Sequence, residues 1–514
     1  MTPRRKRIMI TVLALAVVFW TQFGMPWIGS TIRVSPETTR ITGPLDEEGY
    51  VDYVAALNRM ASGGTTPENN AAVLVAQALG PGSSKVGSRH DDFFAKLGIA
   101  KPPSDGDYFV SSDEFVARRD SADAAASKEA KRRRWQDLRA AMVQPWRANE
   151  HPWLAEWLKE NEGPLGLFVK ASRRSCWFAP LRQDVMLLGQ TSLASDLREP
   201  GRALCARAML RLANRDLEGA SDDAIACRRL GRLVRQQPLV MSMLIGSSLE
   251  TTGIQATAAL VHFARPPAKI LDRLGKTTNG LPPPQSLVQL LDIGERFVQL
   301  DSRMAAARGE IGQPINIIQE VAMRRGLDWN IILRQANDAM DQLVDAAKTE
   351  DPAARIRALR QRHQKIDNHL EQRTKGWKAV LSMLYRSGRS RFLGDMLTSI
   401  QLPEAHILAS SLNRTEILLE LARIMPAIGD YRAEHDEYPE TLKTLVPNYL
   451  DALPEDPYTD GPYRYRRTEA GCLIYSVGAN GRDDNGRNQA LEPGDTAAPD
   501  EADDVFLRLP PHVP

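Results

Sequence analysis

The sequence predicts a mainly α-helical protein with an N-terminal transmembrane helix, a large multi-helical exported body and a small C-terminal α+β module. Three observations lead to this prediction. A long apolar segment follows a group of basic residues at the N-terminus. Apolar residues then recur at helical spacing through most of the chain. After Leu402-Pro403 this pattern gives way to one long helical segment and then to short strand-like segments separated by turn residues.

Composition limits the class of protein. The chain has 514 residues, of which 43% are hydrophobic and 25% are charged, so it has room for more than one compact unit and is not disordered as a whole. Lys and Arg number 66 against 64 Asp and Glu, and the resulting net charge of +2 argues against a nucleic-acid partner. Four cysteines are too few for a disulfide-rich scaffold.

The N-terminus is typical of a membrane anchor. Residues 1–7 form a basic tail that contains Arg4, Arg5, Lys6 and Arg7. Residues 8–29 are almost wholly apolar, and a helix of this length crosses about 30 Å of hydrocarbon. Trp20 and Trp27 suit the membrane interface, and the segment lacks the small residues of a cleavage site. An uncleaved anchor is therefore favoured over a cleaved signal peptide.

Charge asymmetry predicts the orientation of this anchor. Four cations precede the apolar segment, whereas only Arg33 follows closely behind it. Positive charge remains on the cytoplasmic side of a membrane, so the N-terminus is expected in the cytoplasm and the bulk of the chain outside it. The expected partners are the membrane, through the N-terminal helix, and other proteins of the cell envelope.

Residues 30–112 are expected to form a linker, N-terminal helices and a loop. Asp46-Glu47-Glu48 precedes a periodic run from Tyr50 to Leu57, as acidic residues do at a helix N-terminus. A second helix is expected after Pro67-Glu68. Residues 80–112 are rich in Gly, Ser, Pro and Asp and are expected to be mostly loop.

Residues 113–400 are predicted to form the helical body. Its clearest pattern is a helical hairpin, in which an apolar stripe ends at a polar turn, Asn214-Arg215-Asp216, and a second helix starts at Leu217. The stripe consists of Ala203, Ala206, Leu210 and Ala213. A single hairpin of this kind belongs to a larger helical domain, because a solenoid needs about three repeats.

The hairpin contains two of the four cysteines. Cys205 precedes the turn near Arg215 by ten residues and Cys227 follows it by twelve, so the two lie at similar heights on neighbouring helices. In an oxidising compartment they could form a disulfide. Two small buried residues without a bond, or a pairing with Cys176, are the alternatives, because sequence does not fix connectivity.

The body is also rich in tryptophan, since five of the nine tryptophans lie between residues 135 and 177. Trp153 and Trp157 are four apart and share one helix face. Large aromatic residues usually serve burial, so a seam between helices is favoured over an aromatic binding surface. The sequence has no nucleophile-elbow, zinc-helix, redox-cysteine or P-loop motif, and this argues against an enzyme of a familiar class.

Residues 404–514 are predicted to form a long helix, a small antiparallel sheet and an acidic loop. Between Asp483 and Asp504 there are eight acids and one cation, Arg487. Calcium takes six to eight oxygen ligands, often from a Gly-rich turn, and Asn480 to Gly486 supplies carboxylate, amide and glycine residues in that pattern. An acidic, solvated loop without a metal is the alternative.

The order of motifs in this region resembles the periplasmic part of the type II secretion major pseudopilins. The resemblance covers roughly Arg414 to Leu509. It rests on a Tyr-Pro after the long helix, then the motifs Leu453-Pro454-Glu455-Asp456-Pro457-Tyr458, Pro462-Tyr463-Arg464-Tyr465 and Tyr475-Ser476-Val477-Gly478-Ala479-Asn480-Gly481, and a late Asp503-Asp504. Two features depart from the family: the N-terminus has no prepilin cleavage signature, and the helix follows about 400 unrelated residues.

The resemblance implies a calcium site in the acidic loop. Ser476 and Asn480 would be loop ligands, and Asp483, Asp484, Asp503 and Asp504 would supply charge. Segments 46–80 and 201–250 also resemble a group of bacterial single-pass membrane-anchored proteins with the same ending. That likeness implies the bacterial cytoplasmic membrane, with the bulk of the chain periplasmic or extracytoplasmic, but it implies no activity.

Together these features predict a non-enzymatic, membrane-tethered scaffold or adaptor of the cell envelope, with partners among envelope or secretion-system proteins. An extracytoplasmic ligand-binding protein or enzyme with a Trp-rich site in the body is the first alternative. A pilus-like assembly subunit is the second.

Overall fold

A computed structural model gives the fold. It describes residues 32–83, 87–88, 91–119, 128–182, 187, 193–308, 326–375, 385–489 and 502–512. The predicted basic tail, residues 1–7, and the predicted anchor, residues 8–29, lie outside the described residues. Within the described ranges, no helix combines the length and apolar character needed to cross a membrane.

The protein is mainly helical, with a small three-stranded sheet at its C-terminus. The helices of the N-terminal part are α1 (Tyr53–Ser62), α2 (Ala71–Leu79), α3 (Asp91–Lys96), α4 (Ser112–Arg119), α5 (Lys128–Ala141), α6 (Pro152–Glu160) and α7 (Glu162–Ser172). A short antiparallel pair, β1 (Gly82–Ser83) with β2 (Gly87–Ser88), lies between α2 and α3.

Further helices, most of them longer, follow a 3-10 turn at Leu193–Leu197. They are α8 (Arg198–Ala213), α9 (Leu217–Val234), α10 (Val240–Ala264), α11 (Ala268–Gly275), α12 (Leu287–Gln289), α13 (Arg296–Arg308), α14 (Trp329–Ala347), α15 (Pro352–Thr374), α16 (Arg386–Gln401) and α17 (Ala405–His435). A π-helical segment, Leu290–Glu295, joins α12 to α13.

Local sequence explains several helix boundaries. The Asp52 side chain accepts a hydrogen bond from the backbone N–H of Ala55 at the start of α1, and Asp351 does the same for Ala354 at the start of α15. The predicted hairpin is confirmed as α8 and α9, joined by a three-residue turn. Asp216 caps α9 by accepting from Gly219 N at 2.9 Å.

The C-terminal unit begins with α17 and continues into a 3-10 turn, Leu442–Leu445, and three antiparallel strands. The strands are β3 (Arg464–Arg467), β4 (Cys472–Ser476) and β5 (Val505–Leu509), in the order β3-β4-β5. Every residue of the central strand β4 is buried. The long helix and the small sheet therefore follow the order that the sequence predicts for residues 404–514.

One hydrophobic core joins this unit to the helical body. Val261 of α10 and Leu271 of α11 are buried in the same cluster as Leu421 of α17, Ile474 of β4 and Leu507 of β5. The secondary structure changes near residue 404, but the packing is continuous across that point. The C-terminal unit therefore packs directly against the body.

Candidate metal centre

The sheet brings two acidic segments of distant sequence to one edge. Strands β4 and β5 pair with Ser476 opposite Val505, so the loop that leaves β4 and the residues that enter β5 lie side by side. Asn488 forms an isolated bridge with Asp503, and Asp504 N donates to Arg487 O at 3.1 Å. These backbone contacts fix the loop against the start of β5.

Three carboxylates meet at this edge: Asp484, Asp503 and Asp504. One oxygen from each lies within 4.8 Å of the others. Asp504 is fully buried and Asp484 is 8% exposed. Calcium binds oxygen at about 2.3–2.6 Å, so two ligands of one ion lie at most about 5 Å apart. The cluster therefore has the size to hold a metal ion.

Hydrogen bonding leaves part of this cluster unsatisfied. Asp503 Oδ2 accepts from the backbone N–H groups of Ala479 and Asn480, at 3.0 and 3.2 Å. Asp504 Oδ2 accepts from Gly486 N at 2.7 Å. The second oxygens, Asp503 Oδ1 and Asp504 Oδ1, are buried and have no hydrogen-bond donor among the residues that the structure describes, which leave out 490–501. A buried carboxylate oxygen without a donor is costly, and a bound cation removes that cost.

The electrostatics show the same shortage of positive charge. Burial, with Asp484 and Asp483 close by, raises the pKa of the Asp504 carboxyl group to about 6. Burial also raises the pKa of Asp503, while Arg414 of α17 acts in the opposite direction. Without a cation, these two groups are pushed toward their protonated forms at neutral pH.

A glycine allows the loop to approach Asp503. Gly478 has a φ of +71°, a conformation that residues with a side chain rarely adopt. A Cβ atom at this position would lie 2.3 Å from Asp503 Oδ1. Only glycine lets the backbone run this close to the carboxylate.

Two residues of the predicted ligand set bind elsewhere. Ser476 Oγ donates to Asp456 Oδ1 at 2.8 Å, and Asp483 Oδ1 accepts from Tyr475 Oη at 3.0 Å. The Asp483 side chain is 44% exposed. Asn480 remains at the site, because its Nδ2 donates to Asp484 Oδ2 at 3.0 Å. Four further acids of the predicted loop lie outside the described residues: Glu492, Asp495, Asp500 and Glu501.

Asp456 is a site residue to which the sequence analysis assigned no role. It is 1% exposed, and besides Ser476 it accepts from the backbone N–H groups of Val477 and Tyr458, both at 3.1 Å. Asp456 thus fastens the end of β4 where the loop begins. The sequence signal that could have indicated this role is the position of Asp456 between Pro454 and Pro457.

The predicted cysteine pair lies in the body core. Cys205 and Cys227 are fully buried free thiols, and Cys176 is a free thiol of intermediate exposure. A hydrogen bond with Cys227, together with burial, raises the pKa of the Cys205 thiol well above its ordinary value. The disulfide between Cys205 and Cys227 stays a prediction.

Three of the five tryptophans between residues 135 and 177 pack in the interior, as the favoured interpretation expects. Trp146, Trp157 and Trp177 are at most 3% exposed, whereas Trp153 is half-buried and Trp135 is 39% exposed. Trp146 Nε1 donates to Ala206 O at 2.9 Å and joins the loop after α5 to α8. Trp157 Nε1 donates to Val110 O at 2.8 Å and joins α6 to the loop before α4.

Comparison of the chain with models of known protein families, with curated proteins and with solved structures finds no match.

Proposed function

We propose that this chain is a membrane-tethered scaffold or adaptor of the bacterial envelope, whose C-terminal module is stabilised by calcium. The observation that supports the metal most directly is a pair of buried oxygens, Asp503 Oδ1 and Asp504 Oδ1, which lie beside Asp484 and have no donor in the ranges that the structure covers. These three residues would hold the ion, and Asn480 lies next to them. The ion would supply positive charge to a loop that otherwise buries carboxylates at a cost.

The donor set favours calcium over other cations. All three candidate groups are carboxylates, and hard oxygen ligands suit calcium or magnesium better than zinc. Magnesium demands a near-ideal octahedron and releases its water reluctantly, whereas calcium tolerates an irregular loop. Extracytoplasmic calcium modules work with affinities near 10⁻⁴–10⁻³ M. This range fits the compartment that the predicted anchor implies.

The tether and the pseudopilin-like module rest on the sequence. Residues 8–29 have the length and flanks of a membrane helix, and the motif order after α17 resembles the secretion pseudopilins. The role of Asp456 in fastening the loop gives a physical reason for an acid in that motif. A Trp-rich ligand or catalytic site has less support, since Trp146, Trp157 and Trp177 are buried.

The calcium proposal is tested by calorimetry on the full chain in detergent after treatment with a chelator. We expect heat of calcium binding and a rise in melting temperature, and we expect a weaker response to magnesium. Asp504→Asn should abolish both calcium effects. Asp483→Asn is the matched control, because that carboxylate is exposed and bonded elsewhere, and it should retain them. Absence of calcium heat, with an unchanged melting temperature, would contradict the metal site.

The scaffold proposal needs a separate test. The full chain is used to capture partners from solubilised envelope membranes, with calcium and with chelator. We expect envelope proteins that are retained with calcium and lost with Asp504→Asn. Capture of the same proteins by both variants, with or without calcium, would contradict a role for the module in partner binding.

A further inference from the structure

Helix α16 carries apolar residues on its outward side. Its buried positions include Ser390, Gly394 and Thr398, which are small or polar and follow one another at intervals of four. Its exposed positions include Met396 and Ile400, which are 40% and 73% exposed. An amphipathic helix on the surface of a soluble domain has the reverse arrangement.

Close packing holds the helix in this orientation. A Cβ atom at Gly394 would lie 2.3 Å from Gln335 Oε1 and 3.3 Å from Ile332 Cα of α14, so the lack of a side chain at this position favours the close approach of the two helices. Asp328 N donates to Ser390 Oγ at 2.6 Å, and Gln335 donates to Asp395. A rotation of α16 to bury its apolar side would break these contacts.

The outward apolar residues form a strip, defined by Tyr385, Phe392, Met396 and Ile400, with Arg389 between the first two. At 3.6 residues per turn the three helical members lie within about 80° of arc, and Tyr385 is the N-cap residue directly before the helix. Tyr385 is 60% exposed and Phe392 is of intermediate exposure. Single exposed apolar residues are ordinary, but a row of them along one helix marks a contact surface.

Ile32, three residues after the end of the predicted anchor, lies near this strip. Ile32 packs against the small core of Leu327, Trp329 and Ile332, which Leu393 and Leu397 of α16 also cover. Arg33 N donates to Asn330 Oδ1 at 2.7 Å and so fixes the entry point. Met396 and Ile400 each follow one of these two leucines by three residues, and residues three apart are neighbours on a helix.

The distance to the membrane is therefore short. The predicted anchor ends at residue 29, and three residues span at most about 10 Å. Arg389 of α16 lies within the arc of the strip and is of intermediate exposure. Long basic side chains keep their charge among lipid headgroups while apolar neighbours sit deeper, so the strip fits the same environment.

We propose that the strip of α16, consisting of Tyr385, Phe392, Met396 and Ile400, rests in the headgroup region of the membrane that the N-terminal helix enters. The inference depends on the proposed tether and adds a second point of contact. With two points of contact, the N-terminal helix and the strip, the body then lies against the bilayer in one orientation. The acidic loop would keep a fixed height above the membrane.

The test uses the full chain in vesicles of phosphatidylethanolamine and phosphatidylglycerol, with Cys176→Ser as background. A spin label is placed at Met396→Cys, and collisions with oxygen and with a water-soluble nickel complex are measured. Phe263→Cys is the matched control, because Phe263 is 43% exposed and lies at the end of α10, where His262 contacts Tyr438 beyond the far end of α17. That helix of 31 residues is about 45 Å long.

We expect the label at residue 396 to meet oxygen at least threefold more often, relative to nickel, than the label at residue 263. Equal nickel access at both positions would overturn the inference. Shielding of residue 396 from both reagents would also overturn it, since that result indicates a protein partner or a second copy. Flotation of the vesicles after alkaline washing tests the tether itself, so a failure of the anchor is distinguishable from a failure of the strip.

Discussion

Buried acids are treated differently in the helical body and in the C-terminal loop. In the body, Asp223 is fully buried, and Arg207 meets it with two hydrogen bonds of 2.7 and 3.0 Å, while Arg211 adds a third at 3.0 Å. In the loop, Asp503 and Asp504 accept from backbone N–H groups, and each retains an oxygen without a donor within the described part of the chain. The body carries its own counter-ions, whereas the loop gathers three carboxylates that could hold a metal ion.

The largest expected effect comes from removing a counter-ion in the body. Arg207→Leu leaves Asp223 buried with Arg211 as its remaining cation, and loss of one partner from a buried pair costs about 3–5 kcal/mol. The free energy of unfolding, measured by urea titration, should fall by that amount. Calcium should not restore it. A variant as stable as the wild type would show that the pair contributes little.

The matching change in the loop should act in the opposite direction. Asp504→Asn removes a buried charge and places an amide next to the carboxylates of Asp484 and Asp503, where it can donate. With chelator present, we expect the variant to be about 1–2 kcal/mol more stable than the wild type. With calcium present, the order should reverse. Urea titrations under both conditions decide this, and destabilisation with chelator would contradict the contrast between the two regions.

A smaller effect is expected where the two regions meet. His262 of α10 lies 2.7 Å from Tyr438 Oη, and burial, with Arg432 and Arg265 close by, lowers its pKa to about 4. Below pH 6.5 the His262 side chain is protonated in the unfolded chain, whereas in the folded chain it stays neutral until the pH falls to about 4. The contribution of His262 to stability is therefore present above pH 6.5 and is lost as the pH falls toward 4.

His262→Gln should remove this pH dependence. The histidine is of intermediate exposure, so after allowance for solvent screening we expect a difference of about 1 kcal/mol between pH 7 and pH 5. Comparing the urea midpoints of wild type and variant at both pH values cancels the titration of all other groups. Parallel curves for the two proteins would contradict this assignment.

Local signals made the helices predictable. Asp351-Pro352 and Asn214-Arg215-Asp216 mark helix boundaries through chain geometry and capping, which depend on neighbours in sequence. The small sheet was predictable for the same reason, because turn residues stand on both sides of its short apolar segments. The acidic loop was predictable from its composition, and three of its predicted ligands do come together: Asp484, Asp503 and Asp504.

The selection among those ligands was not predictable. Asp483 and Asp484 are neighbours, yet only Asp484 joins the cluster, whereas Asp483 accepts from Tyr475 Oη and from Asn485 N. The partner of Ser476 is Asp456, twenty residues away. The outward apolar strip of α16 was equally hidden, since a helical pattern does not say which face meets a neighbour.

The shared core has a consequence for how the protein is made. Val261 and Leu271, in the middle of the chain, are buried in the same cluster as Leu421 and Ile474 near its end. A ribosome that has completed the body has not yet made the segments that cover these residues. Nascent chains and products of premature termination therefore present an open apolar groove, which chaperones and proteases recognise. Only a chain that includes its last fifth covers this apolar surface and escapes that recognition.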